Sequence, residues 1–152
     1  MQKAAELRDH LAARVPGLKK HPEKFHVFIE KGSIRCRPQG NSFRYHYTVS
    51  LLIEDFTEHV DHVAIPLLQW VAVNQFDLLQ NPQSQENGIT FEAELLDNNK
   101  ADLQITLQLT ESVRVEQVDN KLQATHLDEP PQPDLSGPTV WTLEAPGLEA
   151  AP

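Results

Sequence analysis

The side chains best equipped to bind a metal or move a proton cluster once in this chain, at Glu58-His59-Val60-Asp61-His62. Two imidazoles three positions apart share a helix face, and a neighbouring carboxylate adds an oxygen, a donor set that suits zinc. A zinc peptidase helix sets its histidines four apart with a glutamate directly after the first, and that spacing is absent. The competing reading makes Glu58 and Asp61 anions at a helix N-terminus, where the backbone dipole favours negative charge, with exposed histidines beside them. No Gly-x-Ser-x-Gly elbow, phosphate-binding loop or dinucleotide fingerprint occurs. Ser33 follows Gly32 with nothing around it that marks a nucleophile. The carboxylates of Glu54-Asp55 or Glu92 and Glu94 are too common a pattern to single out an acid–base pair. The expectation is a protein that is not an enzyme, with no catalytic, cofactor-binding or metal-ligating residue.

Composition narrows the classes further. One cysteine, Cys36, excludes an internal disulfide and any multi-thiolate zinc site. It falls in a strand segment, where a lone thiol is expected to serve as packing. No apolar run reaches the ~18 residues of a membrane-spanning helix, and the N-terminus lacks the apolar core of a secretory signal. The chain therefore reads as cytosolic and reduced, without a membrane partner.

Charge is split along the chain. Residues 1–46 hold ten Lys/Arg against four Asp/Glu, and residues 47–152 hold three against eighteen, which together make the net −9. Such a two-signed surface suits head-to-tail contact between identical subunits. The overall negative charge repels phosphate, so sequence-specific nucleic-acid binding is not expected.

Periodicity places these residues on elements. Ala4, Leu7, Leu11 and Val15 form one helical stripe over residues 2–15, stopped by Pro16-Gly17. His26–Ile29 reads as a short strand, Lys31-Gly32-Ser33 as a turn, and Ile34–Arg37 as a second short strand. From Phe43 to Ile53 the alternation is nearly strict, with Leu52 alone breaking the polar side, so one face is buried and the other wet. Val60, Val63, Ala64, Leu67, Leu68 and Val71 give the stripe of a core-facing helix, with Pro66 placed in its first turn if the helix starts near His62. Trp70 and Phe76 read as core. After a polar loop at 81–88, Ile89, Phe91 and Leu95 mark a strand, 97–100 a hairpin, and Leu103 to Val115 the longest alternation. A last pair turns at Asp119-Asn120-Lys121. The predicted fold class is α+β: a mostly antiparallel sheet with one or two helices on one face.

Six of the eleven prolines follow Leu127, so the expected division is a domain at 1–127 and a Pro-rich acidic segment at 128–152. Within that segment Thr139-Val140-Trp141-Thr142-Leu143 is an apolar island able to dock on a partner. Candidate interface residues are Arg35, Arg37, Arg44, His46, Glu92, Glu94, Arg114 and Trp141. The strand residues among them project from polar faces or edges that a second hydrophobic layer does not suit.

Several ordered segments resemble one family. They are Phe25-x-Val27-Phe28-Ile29-Glu30-x-Gly32-Ser33-Ile34, Phe43-Arg44-Tyr45-His46-Tyr47, Glu54-Asp55-Phe56, Pro66-Leu67-Leu68-x-Trp70 and Asn74-Gln75. Gly88-Ile89-Thr90-Phe91, Leu109-Thr110-Glu111 and Leu127-Asp128-Glu129-Pro130-Pro131 follow. Together, over roughly residues 7–131, they resemble the tail completion protein R family of contractile-tailed temperate phages and their prophage or bacteriocin derivatives. The chain departs from that pattern at Glu58-His59 (a Gly-Asp turn is expected), at Phe76 (a proline) and at Ser112 (an arginine).

The resemblance implies a tail-terminator-like structural virion protein, assembled in the host cytoplasm. It would finish the tail at its head-proximal end and allow head–tail joining. Implied partners are its own copies in a ring, expected to be hexameric, then tail tube or sheath proteins and a head-completion or neck protein. The alternatives are a neck or head-completion component, a tail assembly chaperone, and a small metal-dependent enzyme using His59 and His62.

Overall fold

The computed structural model describes residues 1–80 and 88–130. In order these form α1 (Gln2–Arg14), β1 (Phe25–Cys36), β2 (Phe43–Phe56), α2 (Asp61–Asn74), α3 (Asp77–Gln80), β3 (Ile89–Leu95), β4 (Ala101–Val118) and β5 (Lys121–Leu127). The five strands make one antiparallel sheet in the order β1-β2-β4-β3, with β5 also pairing to β4.

Period-two alternation decides the two faces. Tyr47, Val49, Leu51 and Ile53 of β2 lie opposite Leu109, Leu107, Ile105 and Leu103 of β4, and all eight are buried. Against this face α1 lays Ala4, Leu7 and Leu11, and α2 lays Val63, Leu67, Trp70 and Val71. The opposite face carries Arg44, His46, Thr48, Ser50 and Leu52 against Ser112, Thr110, Gln108, Thr106 and Gln104. The α+β expectation therefore holds, and both alternating rows point where their spacing said.

Local differences have physical causes. The segment read as two short strands around a turn is one continuous strand, β1, with a bulge at Glu30 between the pairs Ile29–Val49 and Lys31–Thr48. The extra residue shifts the phase, so Lys31, Ser33 and Arg35 share the His46 face. Gly32 makes no turn. It lies opposite Tyr47, where a Cβ would come 3.2 Å from the Tyr47 Cβ. Helix α2 begins at Asp61, so Pro66 stands in its second turn and leaves the His62 carbonyl without an intrahelical partner. The buried side of α2 is Val63, Pro66, Leu67, Trp70 and Val71, while Val60 is exposed. Cys36 is exposed at the end of β1, so its expected packing role does not hold. Phe76 is only half-buried.

Turn chemistry matches position. Asp119 and Asn120, both with positive φ, form the two-residue turn from β4 to β5, and Asn98 and Asn99 do the same work between β3 and β4. Asp55 also has positive φ where β2 slips against β4, and its N–H donates to Asp102 Oδ1 at 3.0 Å.

Leu107 sits at the centre of the sheet with no solvent exposure. Leu107→Ala is expected to destabilise the fold by about 2–5 kcal/mol through lost contacts and a residual cavity. Urea unfolding followed by circular dichroism measures this as a lowered midpoint.

Candidate functional site

Two features stand out from the ordinary core, one inside the molecule and one on its surface. The inner feature arises because β4 is longer than either strand on its far edge. Strand β3 pairs with it through Leu107 and β5 from Ser112, so, among the described residues, 108–111 have no strand partner there. A buried backbone donor left unpaired is destabilising, so something must fill that gap.

Gln75 fills it. This residue caps the end of α2 with non-helical backbone angles, and its N–H is still bonded to the Val71 carbonyl at 2.8 Å. Its buried Oε1 accepts the Thr110 N–H at 3.0 Å and Lys3 Nζ at 2.8 Å. Its Nε2 donates to Thr110 Oγ1 at 2.9 Å and Asp77 Oδ1 at 2.6 Å. Lys3 continues to Glu129 Oε1 at 2.7 Å, which ties the segment after β5 to the first turn of α1. Both carbonyl lone pairs and both amide hydrogens of Gln75 are used.

Glu111, next along the same gap, is buried and takes three neighbours. Tyr47 donates its hydroxyl to Oε2, and the Gln2 N–H donates to Oε1 at 3.0 Å. That second bond puts a carboxylate at the N-terminus of α1, whose own first turn has no acid. His126 Nδ1 lies 3.3 Å from Oε1 but off the line of a hydrogen bond. Burial, then the bond to Glu111, raises the Tyr47 phenol pKa far above its ordinary value, so Tyr47 stays a donor. Apart from His126 Nδ1, which is buried without a hydrogen-bond partner among the described residues, the knot is closed, and the chemistry it performs is fastening: it joins α1, α2, β2, β4 and the end of β5.

The outer feature is the sheet face that, among the described residues, no helix covers. Arg35 lies directly opposite Arg44, and Arg44 Nε donates to Ser112 Oγ at 2.9 Å. With Arg37 and Arg114 they line one groove of about 640 Å3 at the β1–β2 hairpin end, together with Cys36 and Ser112. His46 stands one row inward, opposite Thr110. Burial, then Arg35 and Arg44, lower its pKa from the ordinary 6.5, against a weaker pull upward from Asp77. At the diagonally opposite corner Glu94 faces Asp102 and Glu92 faces Gln104 on β3 and β4. A like-charge pair directly across a sheet is unfavourable, and this face carries one of each sign.

The expected interface residues thus fall into two groups. Arg35, Arg37, Arg44, His46 and Arg114 are brought together, whereas Glu92 and Glu94 stand apart from them on β3. Trp141 lies outside the described residues. The Ser112 departure fits its place, since an arginine there would set a third guanidinium beside Arg44 and Arg114. His59 and His62 are exposed, and His59 Nδ1 accepts the Asp61 N–H at 3.1 Å, a local bond at the start of α2. Lys3, Gln75 and Glu111 were not legible as a cluster, although Asn74-Gln75 and Leu109-Thr110-Glu111 both stand among the resembling segments.

The described residues form a one-layer antiparallel sheet with its helices on one face and charged residues on the other. Comparison with known proteins adds the family. The family model for P2 phage tail completion protein R (GpR) matches residues 1–130. The tail completion protein R of Escherichia phage P2 is 34% identical over 135 residues, which cover 88% of this chain and 87% of that protein. No solved structure matches. The chain belongs to the tail completion protein R family.

Gln75→Ala leaves the Thr110 N–H and one side of the Lys3 ammonium unpaired, and is expected to destabilise by about 1–3 kcal/mol per stranded group. A urea midpoint equal to that of the unaltered protein would show the knot to be dispensable. His10 and His46 both have pKa values lowered from 6.5, His10 mainly by burial and then by Arg14, against the Pro66 carbonyl that its ring contacts at 2.9 Å. A depressed folded-state value means protonation favours the unfolded chain. Their contribution is therefore complete above 6.5 and falls away as pH drops through that value. Melting temperature measured between about pH 7.5 and pH 5 should decline, and His46→Gln should flatten the decline.

Proposed function

We propose that this protein is a structural component of a contractile phage tail that completes the tail at its head-proximal end. In this reading it forms a ring of six copies that stops growth of the tube and presents the surface on which a filled head joins. The observation that carries the reading is family membership across residues 1–130, with 34% identity to the phage P2 protein. The surface supports it. A basic group of Arg35, Arg37, Arg44 and Arg114 and an acidic group of Glu92, Glu94 and Asp102 offer two different patches. A heterologous ring contact needs two such patches on every subunit. The tube or sheath would meet one end of the ring and a head-completion or neck protein the other. The domain of 1–127 would form the ring, leaving 128–152, with Trp141, to reach a neighbour.

Deleting the gene from its phage or prophage tests this. Particles should lose infectivity, with headless and in part overlong tails in electron micrographs, and the gene supplied in trans should restore plaques. Infectious particles of normal tail length from the deletion would overturn the reading. Mass spectrometry of purified wild-type particles should find the protein in the virion. Its absence there would make it an assembly chaperone instead.

A further inference from the structure

Among the described residues β1 pairs only with β2, and β3 only with β4, so each offers one row of unpaired N–H and C=O groups. Edge strands of soluble monomers are ordinarily short, charged or covered. Here both edges also expose large apolar residues: β1 exposes Phe28, Ile29 and Ile34 (68%), and β3 exposes Phe91 (68%) and Leu95 (86%). The core-facing alternation of β3 is real, since Phe91 lies opposite Ile105, yet among the described residues no helix covers it.

The two edges have opposite charge. Strand β1 carries His26, Lys31 and Arg35, with the bulged Glu30 its one acid, whereas β3 carries Glu92 and Glu94 and no cation. Strand direction matters as well. The row β1-β2-β4-β3 contains four strands, each antiparallel to the next, so β1 and β3 run in opposite directions. Repeating that row along itself, with the helices kept on one side, brings β1 of the next copy antiparallel to β3.

We infer that β1 of one copy pairs edge to edge with β3 of the next, so that a single antiparallel sheet crosses the subunit boundary. The inference deepens the ring reading above by naming its contact. The occupant is a second copy because both halves of the contact are on the page, complementary in charge, in apolar content and in direction. Matching faces permits a register with Ile34 opposite Phe91 and Lys31 opposite Glu94, which sets Arg35 diagonal to Glu92. The seven residues of β3 give a contact about 23 Å long at 3.3 Å per residue.

Two charge-reversed proteins test the contact. One is Lys31→Glu with Arg35→Glu; the other is Glu92→Lys with Glu94→Lys. All four residues are exposed, so each variant should fold, and circular dichroism verifies that. Native mass spectrometry of the full-length protein should show oligomers for the unaltered chain and monomers for either variant alone. An equimolar mixture should reassemble with the two variants alternating, since every contact again joins opposite charges. Removing residues 131–152 should leave assembly intact. Four results would each overturn the inference: an unaltered protein that stays monomeric, variants that assemble alone, a mixture that does not reassemble, or loss of assembly on truncation, which would make the C-terminal segment the occupant. Oligomers that obey these rules while deletion of the gene leaves tails normal would sink the proposed function and spare the contact.

Discussion

The pairing of β2 with β4 is the constraint from which the remaining structure follows. These are the two longest strands, and each is buried on one face and wet on the other. Between them they supply eight buried residues to the helix side, from Tyr47–Leu109 to Ile53–Leu103. Fully burying each large apolar side chain contributes about 1.5–3 kcal/mol, so this pair alone holds a large share of the core. A one-residue slip would turn every one of those side chains to solvent. The register is therefore fixed by burial, and the β1 bulge and the Asp55 irregularity are accommodated around it.

A long central strand creates a problem that the knot solves. Because β4 outruns β3 and starts β5 further on, its edge is bare over residues 108–111 just where helices α1 and α2 converge. Water would satisfy Thr110 at a surface, but here Gln75 is buried and serves in its place. An amide suits the task better than a carboxylate or an ammonium, because the gap offers both a donor and an acceptor. The charged members are each answered: Lys3 by Glu129, and Glu111 by Tyr47 and the start of α1. Polar groups bonded to one another in this way specify one arrangement, since any shift of α1 or α2 would strand several of them together.

What the sequence disclosed depended on the range of the signal. Alternation over Phe43–Ile53 and Leu103–Leu109 needs only neighbouring residues, and it placed both faces correctly. The Asp119-Asn120 turn is likewise local, being set by which residues tolerate positive φ. Lys31-Gly32-Ser33 carries turn chemistry, but the continuous pairing of β1 with β2 overrides it, and Gly32 is needed for close approach to Tyr47 instead. The polar knot was illegible because the bonds that join its separate elements span 35 to 126 positions and each residue looks ordinary alone. Phe91 and Leu95 keep the alternation of their strand yet stand exposed, for a related reason. Alternation reports which face a residue joins, whereas burial also depends on how many strands the helices span, and that is a tertiary quantity.

The like-charge pairs on the open face bear on the contact proposed between copies. Arg35 opposite Arg44, and Glu94 opposite Asp102, each weaken the sheet that contains them, and neither pair buries a core residue. Selection for stability of a lone subunit would favour replacing one member of each. Both pairs lie on the uncovered face and next to a free edge, where an oppositely charged neighbour would relieve them together. An edge contact of this kind is heterologous, so it closes into a ring or runs on as a filament according to the rotation between copies.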